Sequence, residues 1–350
     1  MLMKKMFSLL LALTMLCICA GCGAHQSNSG ETKDSDASLD SIPEEKPVPN
    51  PLTGEPLRDP AAVNNRPVGV MLNNIHYAMP QHGVSDADII FEYNAEGGIT
   101  RMLAFYQEIG TKSTIGSVRS ARPYFVETIM GMDAIYVHAG GSDEAMNMIY
   151  RYDIDDIDEG AFDCFWRDEK RAETMNYEHT LMTKGSLIQD YISTNGWRLQ
   201  HEEGYHYPVT FVEDGTPLDG TAATDISVEF SNYKTGTFTY DPAAKLYKIG
   251  QYDTAYVDGN TGEQVGVTNL LILRTSVYNS GDSAGHMVID VSGSGDGVYI
   301  CGGKAMDMQW HKENMDDPFT YTTTDGTPIS LGIGKTYVCV VGNDAYVSIT

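Results

Sequence analysis

ADIIFEYNAEGGITRMLAFY, residues 87–106, is the stretch that decides the fold of the first half of the chain. Residues 87–93 and 99–106 are two runs rich in β-branched and aromatic residues, as is typical of strands. Between them lies NAEGG, whose paired glycines supply the positive φ angles of a tight reversal. The stretch therefore predicts an antiparallel β-hairpin.

The residues around this hairpin mix predicted strands with predicted helices. Apolar runs at residues 67–72 and 133–137 indicate strands. A helix is expected from Arg122-Pro123 to about residue 130, because proline is favoured in the first turn. Further helices are expected over residues 142–150, capped by Ser142, and over residues 184–194. Residues 57–207 are therefore predicted to form an α+β or α/β domain.

From about residue 208 the helical patterns end. Short runs rich in Thr, Tyr, Val and Ile alternate with turns of Gly, Asp and Asn. This pattern is typical of a mainly antiparallel β domain, a sandwich or a barrel, which we expect over residues 208–350. The glycine-rich segment at residues 293–297 has no dinucleotide or phosphate fingerprint and is predicted to be a hairpin tip.

The amino terminus has the pattern of an export signal. Lys4 and Lys5 precede an apolar run over residues 6–19, and Ala20-Gly21 lead to Cys22. Small residues before a cysteine are typical of a lipobox, in which the cysteine carries diacylglycerol before the signal is cleaved. We expect removal of residues 1–21, lipidation of Cys22 and anchoring at the extracytoplasmic face of a bacterial cell membrane. Secretion without a lipid is the alternative.

The next segment and the overall charge limit the partners. Residues 22–56 are rich in Ser, Asp, Glu, Pro and Gly and are predicted to be a disordered acidic tether. The formal net charge of the chain is -25 at pH 7, which opposes binding to nucleic acid. The expected partners are the membrane, through lipidated Cys22, and an anionic ligand or a protein of the cell envelope.

Cysteines and carboxylates show no pattern of a metal site. The chain has six cysteines, of which Cys164, Cys301 and Cys339 lie in the predicted domains without CxxC or Cys/His spacing. Cys301 and Cys339 either pair in an oxidising compartment or remain buried thiols. The acidic run at residues 153–159 lacks the spacing of an EF-hand loop. No metal and no cofactor are expected.

The most distinctive polar residues follow the hairpin. In GSVRSARP, residues 116–123, Arg119 and Arg122 stand at the start of a predicted helix, where the helix dipole disfavours cations. A Gly-Gly turn joins His138, at a strand end, to Ser142 at the next helix. Together with Arg101, these residues can hold an anionic group between guanidinium groups and free helix N–H groups. The predicted ligand-binding residues are therefore Arg101, Arg119, Arg122, His138 and Ser142.

Three acid-base candidates leave an alternative open. Glu92 and Glu96 lie within reach of the arginines, and either carboxylate can neutralise them in an internal network. With His138 or His179, the same carboxylates can act as general acid and base. No spacing identifies a nucleophile, because the chain lacks a GxSxG elbow at its candidate serines. The sequence therefore leaves catalysis undecided.

Several phrases, taken in order, resemble one family. They are ADIIFEYNAEGGITR (87–101), GSVRSARPYF (116–125), AIYVHAGGS (134–142), EHTLMT (178–183), FTYDPAAKLYK (238–248) and QWHKENMDDPFTYTTTDGTPISLGIGKTY (309–337). Behind a lipobox and an acidic tether, they resemble the YerB-like lipoproteins. The resemblance implies an exported lipoprotein with N- and C-terminal domains of unknown function, and it supplies no mechanism. At Glu178, Thr180 and Met182 the chain departs from the family pattern, in which Pro, Asn and Tyr are common.

Three functions follow as hypotheses. The first is a binding module for an anionic ligand or peptide of the cell envelope, formed by the arginines, His138 and Ser142. The second is a hydrolase or transferase that acts on the cell wall with the Glu and His residues. The third is a structural assembly partner in which the polar cluster is an internal brace. They differ in whether the arginines face a concavity or bury their guanidinium groups against Glu92 and Glu96.

Overall fold

Strands provide most of the secondary structure in residues 46–350, the part of the chain that the computed structural model describes. The helices are α1 (Pro123–Gly131), α2 (Asp143–Arg151), α3 (Glu169–Ala172) and α4 (Gly185–Asn195). Short 3-10 helices occupy Pro60–Asn64, His76–Ala78, Val84–Asp86, Glu96–Gly98, Ile109–Thr111 and Tyr177–His179. The predicted signal peptide, Cys22 and most of the predicted tether lie outside the described residues.

The strands are, in chain order, β1 (Val68–Asn73), β2 (Ile89–Asn94), β3 (Thr100–Tyr106), β4 (Thr114–Gly116), β5 (Ile135–Val137), β6 (Asp156–Ile157), β7 (Trp166–Arg167), β8 (Leu181–Lys184), β9 (Thr210–Val212), β10 (Thr221–Ala222), β11 (Asp225–Glu229), β12 (Thr235–Asp241), β13 (Leu246–Gln251), β14 (Thr254–Ala255), β15 (Gly266–Val267), β16 (Asn269–Thr275), β17 (Val277–Asn279), β18 (Met287–Ile289), β19 (Gly293–Cys301), β20 (Lys304–Lys312), β21 (Thr320–Thr323), β22 (Ser330–Gly332), β23 (Thr336–Gly342) and β24 (Val347–Ile349).

One large sheet contains strands from both predicted domains. Its order is β10-β20-β19-β16-β23-β2-β3-β1-β5-β6, and β21 pairs with β20. The predicted hairpin is confirmed as β2 and β3, with Phe91 opposite Leu103. β23 lies parallel between β2 and β16, so that Val338 is opposite both Phe91 and Leu271. The strands on either side of residues 207 and 208 thus share one sheet, and the exact position of the domain boundary stays a prediction.

A second sheet, β14-β13-β12-β11-β24 with β15 beside β13, packs on one face of the large sheet. Because side chains alternate along a strand, neighbouring residues of β2 enter different cores. Ile90 lies in the core between the two sheets, with Val228 and Phe238. Phe91 lies in the core beneath α1, with Phe125. A mixed first region followed by a mainly antiparallel, sandwich-like second region confirms the predicted fold class.

Helix boundaries agree closely with the sequence predictions. α1, α2 and α4 lie within one residue of the ranges 122–130, 142–150 and 184–194 at both ends. Pro123 stands at the first position of α1, and Ser142 is the N-cap of α2. Local signals of this kind act through the first-turn backbone, so they can be recognised without tertiary structure.

The prediction of a hairpin tip at residues 293–297 is wrong. This segment begins β19 and pairs with β20. A Cβ on Gly295 would lie 2.5 Å from the Arg274 carbonyl oxygen and 2.6 Å from the Trp310 indole nitrogen, so glycine allows the close approach. The chain reverses instead at Gly302-Gly303, where both φ angles are positive.

The predicted disordered tether over residues 22–56 is wrong for its last part, because residues 48–56 are held by hydrogen bonds and burial. Asn50, Leu52 and Thr53 are buried. Asn50 Nδ2 donates a hydrogen bond to Asp88 Oδ1 at 3.0 Å, and the Gly334 N–H donates to the Thr53 carbonyl at 2.8 Å. The buried Leu52 side chain and a few buried polar contacts therefore hold this segment in place, although its composition is poor in aliphatic residues.

The three cysteines of the described residues, Cys164, Cys301 and Cys339, are free and buried. Burial raises the pKa of the Cys164 thiol to about 11, so this group stays protonated at neutral pH. Nowhere in residues 46–350 is a helix long and apolar enough to cross a membrane.

Candidate functional site

The β2–β3 hairpin places Glu96 between two arginines. Positive φ angles at Gly97 and Gly98 form the reversal that follows Glu96. Arg101 donates from Nη2 to Glu96 Oε2 at 2.8 Å, and Arg122 donates from Nε to Glu96 Oε1. Both guanidinium groups are nearly buried. Of the two carboxylates considered from sequence, Glu96 is the one that faces Arg101 and Arg122.

The ion pairs fix the charge states of this cluster. Burial by itself raises the pKa of Glu96, but the hydrogen bond from Arg122 and the charges of both arginines outweigh it and hold the pKa below its ordinary value. Burial, reinforced by the charge of Arg122, lowers the pKa of Arg101 to about 10, so Arg101 remains a cation at neutral pH. Glu96 is thus a weak proton acceptor, which does not suit a general base.

Two helix N-termini meet beside the cluster. Arg122 precedes α1, and Ser142 caps α2 by accepting a hydrogen bond from the Ala145 N–H at 3.3 Å. The Ala121 N–H donates to the Gly140 carbonyl at 2.9 Å and joins the two helix starts. Because the first N–H groups of a helix lack intrahelical acceptors, this corner presents donors and two positive dipole ends.

A groove opens in front of the two helix starts, and the hairpin of β17 and β18 forms its other wall. It consists of two adjoining cavities of about 390 and 430 Å³. We call it the helix–hairpin groove. It is lined by Arg122, Pro123, Tyr124, Glu127, Gly141, Ser142, Asp143 and Glu144 on one side, and by Ser280, Asp282, residues 286–292 and Met315 on the other. Its size is that of a small-ligand site.

The groove carries charges of both signs. Arg122 lies on the helix side, and His286 Nε2 is 3.9 Å from Glu96 Oε1. The other ring nitrogen of His286 is 2.5 Å from Asp282 Oδ2, and this hydrogen bond holds the pKa of Asp282 below its ordinary value. The remaining carboxylates belong to Glu127, Asp143, Glu144 and Asp290. A ligand with both a negative and a positive group is therefore complementary to the groove.

Arg119 lies in a separate cluster with the Tyr177–His179 turn. Its Nη1 donates to the Glu178 carbonyl at 3.3 Å and is 3.5 Å from Glu178 Oε2. His179 is buried, with Nδ1 3.0 Å from Asn73 Nδ2, and burial lowers its pKa. Neither Arg119 nor His179 lines the helix–hairpin groove.

His138 supports the Gly-Gly turn from within the core. It is fully buried, with Nδ1 2.9 Å from the Gly140 carbonyl oxygen and Nε2 3.1 Å from Asp156 Oδ2. Its ring centroid is 4.8 Å from that of Tyr136. Since both ring nitrogens are engaged, His138 positions the turn that leads into α2.

Glu92 is buried in the core between the two sheets. Oε1 accepts hydrogen bonds from Asn74 Nδ2 at 2.7 Å and Thr100 Oγ1 at 2.5 Å. Oε2 accepts from the Tyr337 hydroxyl at 2.7 Å. Lys234 Nζ is 3.1 Å from Oε1, and both members of this ion pair are fully buried. Glu92 thus belongs to an environment different from that of Glu96.

The structure divides the predicted site residues among several environments. Glu96, Arg101, Arg122 and Ser142 lie together beside the groove. Arg119 and His179 lie near each other in a second environment. His138 lies in a third and Glu92 in a fourth. Sequence reasoning missed His286, Asp282 and Lys234, because each is an isolated polar residue in a turn and only the tertiary structure shows what it faces.

The fold and the groove define the class: a two-part, mainly β protein with a polar groove between two helix starts and a hairpin. Residues 52–198 match the family model described as "Protein of unknown function (DUF3048) N-terminal domain". Residues 226–338 match the model of the DUF3048 C-terminal domain. The chain belongs to the DUF3048 family.

Its similarity to YerB of Bacillus subtilis (strain 168), whose name provisionally classes that protein as a lipoprotein, is extensive. The two are 30% identical over 307 residues, which is 86% of this chain and 89% of YerB. The crystal structure of YerB from Bacillus subtilis is similar with a TM-score of 0.74 at 29% identity, over 86% of this chain and 99% of the crystallised chain. The resemblance to the YerB-like lipoproteins is confirmed.

Proposed function

We propose that the protein is a lipid-anchored binding module of the cell envelope, and that its helix–hairpin groove binds a short peptide carrying a free carboxylate and an ammonium group. One observation carries the proposal: Arg122 and two helix N-termini line one wall of a groove whose other wall carries Asp282 and, just beyond β18, Asp290. A carboxylate is stabilised by the helix side, and an ammonium group is stabilised by Asp282 and its neighbours.

The charge of the groove favours such a peptide over a polyanion. Its carboxylates outnumber its cationic groups, so a phosphate polymer would be repelled along most of its length. Among the described residues, β18 is paired only with β17. The remaining edge of β18 can therefore pair with an extended peptide backbone, as in recognition by β-strand addition.

Anchoring outside the cell membrane is the second part of the proposal. Ala20-Gly21-Cys22 provides the lipidation pattern, and the similarity to YerB supports the lipoprotein class. The acidic residues that follow Cys22 would connect the anchor to the folded region. If Cys22 carries a lipid, we expect labelled palmitate to be incorporated into the chain. C22S should abolish this incorporation.

The geometry favours binding over catalysis by the acid-base candidates. Glu96 is engaged by two arginines, while His138 and His179 are buried with fixed partners. Glu92 is enclosed between the sheets. None of these groups is presented to a ligand in the helix–hairpin groove.

Calorimetry with the tripeptide Ala-Lys-Ala, its carboxyl-terminal amide and its N-acetyl form tests the peptide proposal. We expect the free peptide to bind, and each blocked form to bind about tenfold more weakly, because each loses a charge-assisted contact. D282N is expected to weaken binding by a similar factor. D219N is the matched control, since Asp219 is an exposed carboxylate outside the groove. Equal affinity for the free and blocked forms would refute the proposed recognition.

A further inference from the structure

Lys234 is a fully buried lysine whose position the helix–hairpin groove does not explain. It ends the turn between β11 and β12, and its ammonium group lies 5.2 Å and 5.5 Å from the ring centroids of Phe230 and Tyr252. Glu92 Oε1 is 3.1 Å away, but the contact lacks hydrogen-bond geometry, and Nζ has no hydrogen-bond partner among residues 46–350. A buried cation with so few partners is costly.

Asn74 shares the same carboxylate oxygen. Its Nδ2 donates to Glu92 Oε1 at 2.7 Å, and its Oδ1 is buried without a hydrogen-bond partner among the described residues. Because Lys234 Nζ and Asn74 Nδ2 both contact Glu92 Oε1, the Lys234 amine lies beside the Asn74 carboxamide. A half-turn of the amide, which exchanges its oxygen and nitrogen, would point the unpaired Oδ1 at Glu92.

We propose that Lys234 and Asn74 form an intramolecular isopeptide bond, with Glu92 as the proton carrier. The cluster holds the three groups that the reaction requires: an amine nucleophile, a carboxamide electrophile and a carboxyl group in contact with both. Only the neutral form of an amine is a nucleophile, and Glu92 is the carboxylate beside the Lys234 amine that can take its proton.

The reaction balances without a further reactant. The Lys234 ammonium gives one proton to the Glu92 carboxylate, and the neutral Nζ attacks Asn74 Cγ while the carbonyl electrons move to Oδ1. Glu92 then accepts a proton from Nζ and donates one to Nδ2. When the carbonyl re-forms, the bond between Cγ and Nδ2 breaks and ammonia leaves. The products are a secondary amide, a neutral Glu92 carboxylic acid and one ammonia molecule.

The surrounding contacts already hold the two segments together. Tyr252 donates from its hydroxyl to the Asn74 carbonyl at 2.5 Å, and Asn94 Nδ2 donates to the Phe230 carbonyl at 2.7 Å. The bond would join the segment after β1 to the β11–β12 turn. It would therefore link the two DUF3048 regions covalently.

Peptide mapping of the full chain, purified from membranes and denatured before trypsin digestion, tests the bond. Acylation of Lys234 blocks cleavage there, so we expect one branched peptide that joins residues 59–101 to residues 199–245. Its mass should be lower than the two peptides together by one ammonia, and fragmentation should locate the branch at Asn74. Recovery of separate linear peptides, with cleavage after residue 234, would overturn the proposal. Loss of water instead of ammonia would also overturn it, because that loss indicates a bond to Glu92.

Variants separate the reaction from folding. K234R and E92Q are each expected to yield only linear peptides, because the first lacks the amine and the second lacks the proton carrier. K312R is the matched control, since Lys312 is also buried but donates to the Asn314 and Met315 carbonyls. K312R should retain the branched peptide. If E92Q remains folded by circular dichroism and retains the branched peptide, Glu92 is not the proton carrier and the proposal fails.

Discussion

Within residues 46–350, Glu96 is the carboxylate that contacts both Arg101 and Arg122, and the side chains of both arginines are less than a tenth exposed. Removing its charge leaves two buried cations without their anion. We expect E96Q to lower the free energy of unfolding by about 3 kcal/mol, the usual cost of breaking a buried ion pair on one side. Urea unfolding measures this difference.

E178Q is the control for E96Q. Glu178 is half exposed and lies 3.5 Å from Arg119, so its loss should cost less than about 1 kcal/mol. If both variants lose the same free energy, the central role assigned to Glu96 is wrong.

Asp88 gives stability a dependence on pH. Burial, which outweighs the hydrogen bonds from Gln107 and Asn50, raises the pKa of Asp88 to about 6. Because the folded pKa exceeds the unfolded value, the contribution of Asp88 to stability is complete below about pH 4 and is lost as the pH rises through 6. In the D88N variant, the side chain at position 88 is uncharged at every pH. From pH 4 to pH 8, wild type should lose about 3 kcal/mol relative to D88N in urea unfolding. A pH-independent difference would contradict this assignment.

At the scale of elements, Gly295 of β19 allows close packing against its neighbours. A Cβ on Gly295 would overlap the Arg274 carbonyl and the Trp310 indole, so G295A should destabilise the protein by about 1 to 3 kcal/mol through overpacking. The tryptophan fluorescence should change as well. G160A is the control, because no atom lies within 4 Å of a Cβ placed there. Equal stability of the two variants would show that β19 tolerates a side chain at this position.

Elements whose signals are local were predictable from the sequence. Pro123, Ser142 and the Gly97-Gly98 pair act on neighbouring backbone, and they located α1, α2 and the β2–β3 hairpin. The role of Gly295 was not predictable, because it depends on Trp310 from the next strand. The sequence also identified β23 as a strand but not its place between β2 and β16, since a hydrophobic run does not specify its neighbours.

At the scale of the whole molecule, the candidate site shows the same limit. The sequence predicted Arg122 and Ser142 from features of their own helices, and both line the groove. Asp282 and His286 come from the distant β17–β18 hairpin, and only the fold brings them opposite those helices. Residues chosen because they are polar and close in sequence, such as His138 and Arg119, instead hold neighbouring loops.

The insertion of β23 makes the two DUF3048 regions depend on each other. Without residues 208–350, β2 loses its parallel neighbour, Glu92 loses Lys234 and Tyr337, and the apolar face around Ile90 is exposed. We therefore expect residues 46–207, expressed alone, to show no cooperative thermal transition by circular dichroism. The intact chain, cut by a protease at a site inserted at the exposed Gly204, should remain one particle in size-exclusion chromatography and keep its transition. A sharp transition in the isolated fragment would show that the first region contains a complete core of its own and that β23 adds to a sheet already stable without it.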